Sequence, residues 1–309
     1  MEAETSDLDT QATGRRDGDS NWGRWGEDDQ SGAGNLLTPA VVRAAAESVS
    51  EGRVISLALP IDARLLPQFA GRPSVIHTLR LDAGDYLAGA RALDDVKSSD
   101  DHLFLSLHGV THVDALAHTW YGDHLYNGFP QAQVRSSGAR SLGAEQIAPM
   151  VTRGVLVDCV SFLPSPPRPG DSISRGDIET VLEAEGVELR SGDVVLVRTG
   201  WLRDWRAASL SDDLVEHEQG LAADTAGLWI ENDVVGIGTD NCTLEVWPHP
   251  EGKHIPLHRV LIRDYGMYLM ELLDLEELAA RGRFEFLFVG APLPVVGGTG
   301  SPLNPLAVL

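Results

Sequence analysis

The sequence predicts an α/β fold: one domain built on a mixed β-sheet with flanking helices. Three observations predict it. Short apolar runs of strand type alternate with capped helical segments. No composition break or linker divides the chain. Its 309 residues can bury one large core, although by length alone two smaller domains would also fit.

The elements follow in order. Residues 1–20 lack hydrophobic periodicity and are expected to form a disordered tail, leaving 21–309 as the single domain. Order is expected from Trp22, because Trp22 and Trp25 both want burial. Thr38 is placed as the N-cap of a helix with Pro39 at its first position and Gly52 as its stop. Strands are expected at residues 54–59, 103–107, 154–158, 193–198, 234–238 and 286–289. The run 193–198 is apolar almost throughout and reads as covered on both faces. The run 103–107 leads directly into His108. Helices are expected at 175–185, closed by Gly186, and at 222–231. Another starts at Asp274 with an aspartate version of the capping box and is stopped by Gly282.

Composition narrows the function classes. The formal net charge of −22 at pH 7 repels phosphate backbones, so nucleic acid is set aside as a partner. Cys159 and Cys242 lie far apart and form no CxxC pair, so free thiols in a reducing compartment are expected. The acidic N-terminus has no apolar core of a secretory signal, and no apolar run approaches a membrane span. A cytoplasmic protein away from membranes is expected. No G-x-S-x-G elbow, P-loop or G-x-G-x-x-G follows a strand, which disfavours serine hydrolases, NTPases and Rossmann dehydrogenases.

The segment that carries chemistry runs from Leu107 to His118. It sets His108, His112, Asp114 and His118 at offsets 0, +4, +6 and +10. Two imidazoles on one metal must bring their nitrogens to about 2.0–2.1 Å from it. Extended chain would hold positions four apart at roughly 13 Å. The backbone must therefore turn between His108 and His112, and Gly109 permits this. His112 and Asp114 are two apart, so in extended chain they share a face. The set of nitrogen and oxygen ligands without thiolate suits zinc or manganese, and three protein ligands leave a position for water. His118 lies four beyond Asp114. A helical turn there would hold it beside the metal as a general acid/base instead of a ligand.

This segment resembles the signature of the cyclase family of metal-dependent hydrolases, the family of bacterial kynurenine formamidase and isatin hydrolase. That signature reads His-x-Gly-Thr-His-x-Asp-x-Pro-x-His. The chain matches it at His108, Thr111, His112, Asp114 and His118, and departs from it at Val110 and Leu116. Residues 192–201, 236–240, 291–293 and 300–302 resemble further family strands and turns. Trp25, Gly26, Asp28, Asp29 and Asn35 are similar to a longer-chain branch. The resemblance implies a swivelling β/β/α-like architecture, no organic cofactor, one or two divalent metals, and a homodimer or homotetramer. It also implies a second metal position held by a later histidine and a glutamate. Here these are His258 and Glu271, with His254 as competitor for His258. A turn at residues 264–266 would fold that stretch into a hairpin and bring its ends together.

The resemblance implies hydrolysis of an amide, lactam or lactone of a small molecule. Ring closure at the same site and a non-catalytic metal-binding role are the alternatives. Trp120, Tyr121 and Phe129, with Trp25, are candidates for the wall of a pocket for a flat substrate, and core packing would explain them equally. Asp240 either lines the site or makes a turn. His77, His102, His124, His217 and His249 have no spaced partners and read as surface or loop residues.

Overall fold

A computed structural model describes residues 19–309 apart from 70, 251 and 253. The expected disordered tail therefore lies, up to residue 18, outside the described residues. The strands in chain order are β1 (Val54–Ser56), β2 (Ile76–Leu79), β3 (Asp101–Phe104), β4 (His112–Asp114), β5 (Val134–Arg135), β6 (Gly138–Ala139), β7 (Met150–Asp158), β8 (Ser172–Ile173), β9 (Val194–Arg198), β10 (Gly220–Leu221), β11 (Gly236–Thr239), β12 (Tyr268–Glu271), β13 (Glu285–Gly290), β14 (Gly300–Pro302) and β15 (Leu306–Val308). Nine of them form one mixed sheet in the order β1-β15-β13-β7-β9-β11-β12-β4-β14. Its centre, β7-β9-β11-β12, is parallel, and the strands on either side are antiparallel. This is the α/β domain with a mixed sheet that the sequence predicts.

The core sits on that parallel centre. All five residues of β9 are buried, as a strand covered on both faces requires. The helix Arg175–Glu185 covers one face through Ile178, Val181 and Leu182. It starts where expected: Ser174 caps it through a capping box with Asp177, and Gly186 stops it with φ +70°. A second apolar cluster joins Leu59, Leu66 and Val110 to Trp201 and Trp205, whose rings stack at 5.6 Å.

Four expectations change. The helix behind Thr38 runs only Pro39–Ala46, so Gly52 is not its stop; it serves a later turn, its N–H donating to Leu309 O. Asp274 is not an N-cap, because that helix spans Glu276–Ala280 with Leu275 at the cap position. Asp274 instead accepts from Glu276 N at 3.3 Å. The run 103–107 is no core strand. It contributes β3 to an exposed two-stranded ribbon with β2, since an apolar run this short does not reveal whether the sheet around it covers it. Finally, no hairpin joins His258 to Glu271. A short helix, Pro256–His258, continues as a π-helix over Arg259–Asp264, turns at Gly266 (φ +60°) and enters β12.

Candidate metal centre

The site forms where β4 meets β12. Their register sets His112 directly across from Glu271, so both side chains leave the sheet on one face, joined by Asp114 two residues along β4. His112 Nε2 lies 3.4 Å from Glu271 Oε2 and 3.5 Å from Asp114 Oδ1. On the other side β14 pairs with β4 and sets Gly300 opposite Asp114. A Cβ at Gly300 would stand 2.6 Å from His108 Cε1, so glycine there makes room for the His108 ring. Thr111 ties the segment down: its hydroxyl accepts from Leu59 N (2.8 Å) and donates to Leu272 O (2.5 Å).

His112, His108 and His258 are each anchored by one ring nitrogen and turn the other inward. His112 Nδ1 bonds Val110 O at 2.7 Å. His108 Nε2 bonds Thr299 Oγ1 at 3.1 Å. His258 Nδ1 bonds Glu245 Oε1 at 2.8 Å, and its Nε2 faces Glu271 Oε1 at 3.2 Å and Asp114 Oδ2 at 3.6 Å. This is the arrangement that fixes tautomer and ring orientation in metal-binding histidines.

A fit test for a cation comes from atoms left without partners. His108 Nδ1, His112 Nε2 and both oxygens of Asp114 are buried and make no hydrogen bond. His108 Nδ1 approaches Asp114 Oδ1 to 2.8 Å without hydrogen-bond geometry. Orphaned buried donors and acceptors are costly, and a shared cation would satisfy all four at once. Two groups of side chains could hold one. Donor atoms of His108, Asp114 and His118 all lie within 4.8 Å of one another, as do those of Asp114, His258 and Glu271. Asp114 belongs to both.

The electrostatics agree. Burial works against the charge on Asp114, yet the surrounding imidazoles, His118 foremost, outweigh it and hold its carboxyl well below the usual range. Burial likewise opposes charge on His258, but Glu245 and Glu271 outweigh it and raise its pKa well above the ordinary value. Burial dominates at His108, pushing it down to about 4, and also lowers His118.

His118 ends a turn in which its N–H bonds Ala115 O at 2.9 Å. Its ring stacks on His108 with centroids 4.1 Å apart. It thus lies beside the cluster, held there by a single turn of backbone. A cavity of about 840 Å³ opens there, bordered by His118, Trp120, Glu218, Arg72, His258 and Glu271.

Other expected residues lie elsewhere. Tyr121 does not border this cavity. Its hydroxyl donates to Asp264 (2.9 Å), and the guanidinium groups of Arg263 and Arg259 sit over its ring. Phe129 packs against the core. Trp25 borders a separate small cavity near Tyr265, with the Arg24 guanidinium 4.7 Å from its ring. Aromatic residues close in sequence to a site pack wherever apolar surface is nearest, so Tyr121, Phe129 and Trp25 are corrected as pocket walls. Asp240 is no site residue either: it accepts from Thr199 N, Thr199 Oγ1 and Gly200 N and holds the start of the helix Trp201–Ala207. Burial raises its pKa to about 6. His254 borders the cavity, but His258 is the histidine that meets Glu271. His249 is buried, contrary to the surface reading.

Two residues were missed. Glu245 accepts from Leu257 N, His258 N and His258 Nδ1, capping the short helix and orienting the imidazole. Glu218 is fully buried at the cavity, and burial raises its carboxyl well above the usual range. A lone acid inside the apolar run 244–247 was the available signal for Glu245.

With this geometry in view, comparison with known proteins is informative. The cyclase family model matches residues 55–246. A solved structure of a novel cyclase shares 39% identity, with 94% of this chain and 100% of that chain covered and a TM-score of 0.86. Isatin hydrolase of Roseibium aggregatum is 28% identical over 67% of this chain and 73% of its own length. A predicted metal-dependent hydrolase from Bacillus stearothermophilus shares the fold at 18% identity, with a TM-score of 0.52 over 82% of this chain and 97% of that one.

Proposed function

The chain belongs to the cyclase family and is a metal-dependent hydrolase of small molecules, and from that premise we propose that it cleaves an amide, lactam or lactone bond at the His108–His112–Asp114 cluster. The observation that carries this is the set of orphaned nitrogen and oxygen atoms converging on Asp114. His108, His112 and Asp114 would hold one divalent metal. His258 and Glu271 would hold a second, with Asp114 shared. Burial keeps the nearby Cys242 thiol well above its ordinary pKa, hence neutral, which leaves a nitrogen and oxygen set suited to zinc or manganese. No organic cofactor is needed. When bound, such a metal supplies a water of lowered pKa and a Lewis acid for the substrate carbonyl.

The chain's own residues do the rest. Trp120 offers one wall for a flat substrate in the cavity. His118, kept neutral by burial, takes a proton at its ring nitrogen and returns it to the leaving nitrogen or oxygen. Glu245 holds the His258 ring so that Nε2 faces inward. The likeness to isatin hydrolase favours a cyclic amide among the possible substrates. No helix among the described residues is long and apolar enough to cross a membrane. Cys159 and Cys242 as free thiols fit a cytoplasmic setting.

The test is turnover of N-formyl aromatic amides, isatin-like lactams and aryl lactones by the purified chain. A chelator should abolish it, and zinc or manganese should restore it. Restoration should weaken as pH falls, because protons compete for His112 and His258, both held above the ordinary imidazole pKa. Turnover that survives complete metal removal would refute the reading.

A further inference from the structure

The cavity beside the metal centre holds a carboxyl that the metal positions do not use. Glu218 is 0% exposed and borders the cavity together with His118, Trp120 and Glu271. It belongs to neither group of side chains that could hold a cation. Its backbone is pinned, because its N–H donates to Trp247 O at 2.7 Å and its carbonyl accepts from Trp247 N at 3.0 Å.

The two carboxyl oxygens differ. Oε2 accepts from Cys242 N at 2.7 Å and pairs with the Thr243 hydroxyl at 3.2 Å. Oε1 is buried and has no hydrogen-bond partner. As a carboxylate, Oε1 is an acceptor without a donor. Burial favours the neutral acid, and the same result holds there. The Thr243 hydroxyl also reaches Glu245 O at 2.8 Å, so with its own proton placed there it can receive one from Glu218 Oε2. A proton on Oε2 thus has an acceptor inside the protein and a proton on Oε1 has none. In either form the oxygen left over is an acceptor on the wall of the cavity. A ligand that fills the cavity without a donor seals Oε1 from solvent unpaired, whereas one with a well-placed N–H satisfies it. A site of this kind rejects the analogue lacking the donor more strongly than an apolar pocket rejects a small change of shape.

We propose that Glu218 determines specificity, its Oε1 receiving an N–H of the substrate, so that the site takes secondary amides and lactams in preference to lactones. This rests on the reading that the substrate occupies the cavity at the metal cluster, and it narrows the bond to be cleaved to one beside an N–H.

Calorimetric titration of the zinc-loaded chain with indole and with benzofuran tests the proposal apart from turnover. The two rings are flat and alike in size, differ in N–H against ring oxygen, and contain no bond for the site to hydrolyse. Indole should bind at least about tenfold more tightly. E218Q should abolish that preference, because its amide oxygen stays on the Cys242 N–H and its NH2 group, a donor, replaces Oε1. E218A removes the acceptor without adding a donor and should abolish the preference too. Unchanged zinc content in both variants separates this effect from loss of the metal. N-methylindole on the wild type, which needs no variant to fold, should bind as weakly as benzofuran. Equal wild-type affinity for indole and benzofuran, no binding of either, or a folded variant that keeps the wild-type preference would overturn the proposal. Failure to hydrolyse any amide would instead sink the bond-cleavage reading and leave the preference for indole standing.

Discussion

His112→Ala is expected to lose its metal on desalting and to lose turnover with it, by about 1,000-fold or more. Lewis-acid catalysis is worth several kcal/mol, and about 4 kcal/mol corresponds to roughly three powers of ten in rate. The expectation rests on His112 Nε2, a fully buried nitrogen with no hydrogen-bond partner that points between Asp114 and Glu271. The substitution also strands Val110 O, at a cost of roughly 1–3 kcal/mol in stability. Metal content and a melting curve separate the two effects. Added zinc or manganese should raise the wild-type Tm, by mass action on the folded state, and raise the variant's Tm by clearly less. A variant that keeps full metal content would show that His112 is not a ligand.

His118→Asn is expected to lower turnover by about 100- to 10,000-fold, the usual worth of a positioned acid/base, while metal content and fold are retained. The geometry leaves a sharp contest here. Donor atoms of His118 lie within 4.8 Å of those of His108 and Asp114, close enough for a ligand as well as for a proton carrier. Its ring stacks on His108 and borders the cavity, the position from which a leaving group can be reached. Elemental analysis beside kinetics decides between the roles. Metal loss in the variant would make His118 a ligand, and wild-type turnover would leave it no catalytic part.

Much of this was legible in the residues. Strand β9 announced itself because the four adjacent buried positions before Arg198 are all apolar. The helix Arg175–Glu185 announced both ends, through Ser174 with Asp177 and through Gly186. The spacing of His112 and Asp114 required extended chain to share a face, and β4 supplies it. What stayed hidden depends on contacts between distant segments. Glu271 faces His112 only because β12 pairs with β4 in one register. Glu245 acts on His258 through a fold-back that no local periodicity encodes. The π-helix after His258 replaces the hairpin expected from a turn at residues 264–266, because the apolar residues Val260, Leu261 and Ile262 are all buried. Tyr121 and Phe129 were placed by nearness in sequence, whereas charge partners and core packing decided where they went.

The central claim is that a divalent metal sits between His108, His112 and Asp114. An anomalous-difference map from crystals grown with zinc or manganese, recorded on both sides of that element's absorption edge, tests it most directly. The account predicts a peak within coordination distance of His108, His112 and Asp114, with any second peak beside His258 and Glu271 on the far side of Asp114. A metal-saturated crystal with no peak among His108, His112 and Asp114, or with its peak elsewhere in the molecule, would contradict it.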